Sequence, residues 1–103
     1  MERSYSMMKR QGDLLIIKVK GIPAQAVQQK SKVLAEGEAT GHFHKLDSGE
    51  VYEDNGTLYF KVEEDSVTAL DHPEHKTITF DPGLYKVIRQ REYEPNGWRI
   101  VSD

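Results

Sequence analysis

The first apolar run along the chain, DLLIIKVK at 13–20, is β-branched and lies between Gly12 and Gly21-Ile22-Pro23, which predicts a strand. AQAVQQK at 24–30 is the one helix-compatible stretch, too short to stand alone and expected as a single turn on a crossover. Residues 32–38 and 39–46 read as one or two strands, with Gly37 and Gly41 marking a bulge or a close backbone approach. Asp47-Ser48-Gly49 turns the chain into 50–53, and Asp54-Asn55-Gly56 makes a hairpin into 57–63, where Leu58, Phe60 and Val62 alternate with Tyr59, Lys61 and Glu63. A further strand over 66–70 is interrupted at 71–76 and resumes at 77–80. After the Asp81-Pro82-Gly83 turn comes the longest alternating segment, 84–93, and beyond Pro95-Asn96-Gly97 a closing strand at 98–101. Seven or eight short strands at this spacing predict an all-β, single-domain, barrel-like or sandwich fold. Residues 1–11 lack periodicity and are expected to form a flexible arm ahead of one β domain at 12–103.

A length of 103 residues suits one hydrophobic core and no second domain. Apolar residues at 37% and charged residues at 30% point to a soluble globular chain. A net charge of -3 is too small to draw the chain to nucleic acid by bulk electrostatics, which leaves only a local basic face for that role. The absence of cysteine removes disulfides, fits a cytoplasmic protein, and leaves imidazole and carboxylate as the ligands for any transition metal. The longest apolar run, 14–17, falls far short of the roughly 20 residues of a membrane helix, so no membrane association is expected.

Candidate chemistry concentrates in four histidines in two short segments, GHFH with His42 and His44, and HPEH with His72 and His75. Alternate side chains of a strand share a face, so His42 and His44 are expected to project together, about 7 Å apart at their backbones. Proline in HPEH prevents regular strand pairing and predicts a turn. Folded over the first pair, it would gather three or four imidazoles, with Asp47, Glu50 or Glu74 as a carboxylate, around a divalent transition metal or an anionic small ligand. Two other readings stand beside this one. Paired imidazoles can work as general acid and base without a metal, and HPEH between Asp71 and Lys76 also reads as a solvated hairpin tip.

A second feature lies on 84–93, one face of which carries Tyr85, Val87, Arg89, Arg91 and Tyr93. Tyr85, Arg89, Arg91 and Tyr93 could stack bases and neutralise phosphates, or hold a protein partner, as a non-catalytic interaction module. The plainer reading is a partly buried face, marked by Val87, whose arginines pair with acidic neighbours. No GxxxxGK[ST] loop, GxSxG elbow or HExxH helix occurs, so those enzyme classes are disfavoured and catalysis is left open. Unpaired edges in so small a sheet are also compatible with a homodimer.

Two resemblances bear on the histidines. His42 and His44 match the HxH of the first cupin metal motif, although Glu50 falls later than that motif places its glutamate and Gly49 precedes it. GEATGHFHKL, HPEHKTITFDPGLYKVIRQREY and the opening QGDLLIIKV together resemble a family of small uncharacterised prokaryotic and phage-associated proteins. That resemblance implies one compact β domain, with His42, His44, His72, His75, Arg89, Gln90 and Arg91 belonging to its motifs, and it implies no particular chemistry.

Overall fold

A computed structural model describes residues 8–36 and 42–89. Within them the chain forms ten strands: β1 Met8–Gln11, β2 Leu14–Val19, β3 Val27–Gln29, β4 Val33–Glu36, β5 Phe43–Leu46, β6 Glu50–Asp54, β7 Thr57–Val62, β8 Thr68–His72, β9 His75–Phe80 and β10 Gly83–Arg89. They build two antiparallel sheets, one of six strands ordered β1-β2-β10-β7-β6-β3 and one of four ordered β4-β5-β8-β9. The all-β expectation holds, in the sandwich form and not as a closed barrel. The reason lies at the β1 and β9 edges. They approach each other but are latched by side chains, with Lys9 Nζ donating to the Thr79 carbonyl at 2.6 Å where a barrel would continue its ladder.

The tight turns follow from residues that tolerate the left-handed region. Asn55 and Gly56, at φ of 51° and 84°, close the β6–β7 hairpin, and Gly12 at 59° closes β1 onto β2. Three expectations are corrected. Met8–Gln11, read as part of an arm, is a strand paired with β2, because Lys9 and Gln11 both find partners on the second sheet. The helix-compatible stretch keeps only the expected single turn, in which the Ala26 amide donates to the Pro23 carbonyl, and its second half is the strand β3. The interruption at 71–76 shrinks to a two-residue turn at Pro73-Glu74, since β8 runs on to His72 and pairs it with His75.

The core lies between the sheets, where Leu14, Ile16, Val51, Phe60 and Tyr85 from the first meet Leu46, Leu70 and Phe80 from the second. Its centre is aromatic: the Phe60 ring stacks on Tyr85 with centroids 4.9 Å apart and meets Phe80 edge-on at 5.3 Å. Tyr85 is therefore a core residue, 5% exposed, whose hydroxyl donates to the Asp81 carbonyl. This corrects its placement on a ligand-binding face; Val87, on the same side, is buried as well. Arg91 and Tyr93 lie outside the described residues.

Burial on this scale predicts a sharp contrast between two substitutions. Leu70→Ala, at a site with no exposure, should lower the unfolding free energy by about 2–5 kcal/mol, while Val67→Ala, 59% exposed, should change it by less than about 0.5 kcal/mol in urea denaturation.

Candidate functional site

Strand register assembles the histidines. Lys45 of β5 faces Asp71 of β8, so the next step along the ladder brings His44 beside His72, and His72 in turn pairs with His75 of β9. A one-residue register shift between Leu70 and His72 makes this row feasible, because it reverses the alternation of β9 at its start and turns His75 to the His72 side. The ring centroids are 4.3 Å apart for His44 and His72, 4.7 Å for His72 and His75, and 6.0 Å for His44 and His75. His42, just before β5, meets His72 edge-on at 5.8 Å, and its Nδ1 lies 3.4 Å from Glu74 Oε2. His44 and His72 are buried, whereas the His42 side chain is 28% exposed.

The first sheet contributes residues that the sequence did not single out. Gln11 is 1% exposed and gives its two Nε2 hydrogens to the carbonyls of Leu70 and Lys76, at 2.9 and 2.8 Å. Its Oε1 must then be an acceptor, so His44 Nδ1, 2.8 Å away, carries the proton and donates it. His44 Nε2 is left with its lone pair directed to the Asp13 side, where Oδ1 lies 3.8 Å off; Asp13 Oδ2 accepts from Arg89 Nε at 3.2 Å. His72 has the opposite tautomer, since its Nδ1 accepts the Glu74 amide at 3.0 Å and its hydrogen sits on Nε2. Gly12 allows the approach: a Cβ there would stand 2.9 Å from His75 Nε2 and 3.3 Å from His44 Cε1.

Arg89, assigned by its alternation to an aromatic basic face, thus belongs to the histidine site through Asp13. Of the expected carboxylates only Glu74 is there. Asp47 accepts from Ser48 and from the Ala69 amide, and Glu50 accepts from the Tyr52 hydroxyl. Among the described residues, no three His, Asp or Glu side chains are arranged as they stand to hold a metal ion.

A family model described as a domain of unknown function, DUF8820, matches residues 10–90. The chain belongs to this family. No curated protein and no solved structure matches it. The DUF8820 match spans all four histidines together with Gln11, Gly12, Asp13, Glu74 and Arg89.

Electrostatics in this DUF8820 site keep the inner rings neutral. Burial strips water from His44 and lowers its pKa to about 4; His72, His75 and Arg89 act in the same direction, and Asp13 only partly opposes them. His72 is lowered too, first by burial and then by His75 and His42. In the unfolded chain these imidazoles titrate near 6.5. As pH falls from about 6.5 towards 4, the unfolded state therefore binds protons that folded His44 refuses, so acid weakens the fold. Urea unfolding across that window should show a loss of about 3 kcal/mol from His44 alone, and a flat profile would contradict its burial as a neutral ring. Gly12→Ala combines a φ that L side chains disfavour with the clash at His75, and should cost more than about 1 kcal/mol in the same measurement and displace the His75 imidazole signals in NMR spectra.

Proposed function

We propose that this site binds a divalent transition metal ion through His44 Nε2 and Asp13, with His75 as the third ligand and His42 and Glu74 on the exposed rim. The observation carrying the reading is the fixed tautomer of His44, whose lone pair faces a carboxylate across 3.8 Å with no hydrogen between them. Donation of the second ring hydrogen to an oxygen is how proteins orient a metal-binding histidine. Metal–ligand bonds of about 2.0–2.1 Å at a tetrahedral angle place N and O roughly 3.3 Å apart, so a bound ion needs Asp13 and His44 to close by about half an ångström. Ligand histidines must be neutral at working pH, and His44 with a pKa of about 4 meets that condition. The same value argues against metal-free general-base catalysis, which is best served by a pKa near the operating pH.

His72 takes a different part. Its Nδ1 is occupied by the Glu74 amide, so ligation through Nε2 would require two hydrogens to face each other. It serves to pack and orient the ligand rings. Elemental analysis of protein purified without an affinity tag, followed by calorimetric titration with zinc, iron, nickel, copper and manganese, tests the reading. Near-stoichiometric metal is expected in the parent, none in His44→Ala, weaker binding in Asp13→Asn, and retained binding in His72→Gln. A parent protein that takes up none of the five ions sinks the proposal.

A further inference from the structure

Two clefts adjoin on the four-stranded sheet, and the second borders the row of imidazoles at His72. The larger, about 650 Å³, lies where the β3–β4 connection crosses β5 and β8, and is lined by Lys30, Ser31, Lys32, Lys45, Asp47 and Asp71, with Val33 and Leu46 beneath. The second, about 420 Å³, continues past Phe43, Pro73, Thr77 and the edge of His72. Lys45 and Asp71 line both, so they mark the junction. Its walls are backbone-braced, with the Leu46 amide donating to the Lys32 carbonyl and the Asp47 amide to that of Ala69.

Charge along this path is unevenly satisfied. Asp47 is engaged by Ser48 and the Ala69 amide, and Asp71 by Thr77 Oγ1 at 2.8 Å. None of Lys30, Lys32 and Lys45 makes an ion pair within 4.0 Å among the described residues. Lys30 and Lys32 line the first cleft away from Phe43, and Lys45 stands at the junction across from Asp71, in a chain whose net charge is -3. At the other end Phe43 keeps an exposed ring, 37% accessible. Between the two, Asp71 lines both clefts.

We infer that this double cleft binds a mononucleotide, with phosphates on Lys30, Lys32 and Lys45, ribose hydroxyls on Asp71, and the base stacked on Phe43. The order of chemistries along the path is that of the ligand: anion, diol, planar ring. Ammonium groups neutralise phosphate oxygens, a carboxylate is a standard partner of ribose hydroxyls, and an aromatic face accepts any base. A cleft of this size suits a small molecule, and a single exposed aromatic ring favours one nucleotide over a strand of them.

Amide chemical-shift titrations of the full chain with ADP and with inorganic pyrophosphate test the assignment. Both should give saturable shifts at 30–33 and 45–47, and ADP alone should extend them to Phe43 and Thr77. Phe43→Ala should weaken ADP about tenfold while leaving pyrophosphate unchanged, and Lys32→Gln/Lys45→Gln should weaken both. Absence of saturable shifts, ADP binding no tighter than pyrophosphate, or shifts confined to the histidine row would each overturn it. An oligothymidine binding far more tightly than ADP would overturn it in favour of a single-stranded nucleic acid.

Discussion

One primary amide joins the two sheets. Gln11, on the edge strand of the first, gives both Nε2 hydrogens to carbonyls of the second and accepts the His44 proton. Such a buried group is stable only when all its bonds are made, since each unpaired partner costs about 1–3 kcal/mol. The three bonds therefore fix one another. The carbonyls of Leu70 and Lys76 dictate which way the amide faces, the amide dictates the His44 tautomer, and the tautomer dictates which ring nitrogen looks towards Asp13. The position of β9 against β1 and the chemistry of the site are consequences of a single side-chain orientation.

That amide also divides the interior. On one side lies an aromatic and aliphatic core centred on Phe60, Phe80 and Tyr85. On the other, imidazoles fill the space, and burial holds two of them, His44 and His72, below the ordinary histidine pKa. Only at the rim, with His42, Glu74, Asp13 and Arg89, does the interior meet solvent and charge.

Much of this was legible in the chain. Alternation of Leu58, Phe60 and Val62 and the Asn55-Gly56 pair defined β6 and β7, and the spacing of the GHFH and HPEH segments marked the four histidines. What escaped reading was decided between strands. Tyr85 alternates with Arg89 as an exposed face would, yet the second sheet covers it, and the tertiary burial that separates those cases leaves no trace in a period of two. Met8–Gln11 has no hydrophobic pattern because its buried position is Gln11 and its tie to β9 runs through the exposed Lys9, both held by hydrogen bonds. Asp13 stood at the head of the first apolar run as the first residue of a strand, and nothing local tells that its carboxylate returns to meet His44 and Arg89. Of the basic aromatic face, Tyr85 is buried and Arg89 is engaged by Asp13, while Arg91 and Tyr93 lie outside the described residues.

The register shift between Leu70 and His72 also sets what the gene can tolerate here. A strand's two faces are a binary variable, and the extra residue flips it once, after which His75 and His72 share a side. Losing or gaining a single codon between 75 and 78, where Lys76 and Thr77 oppose Asp71 alone, would flip it again, sending one imidazole outward while leaving composition, charge and strand propensity almost untouched. Substitutions in this hairpin can be absorbed gradually, but changes in its length cannot, so the segment should diverge in letters while keeping its count.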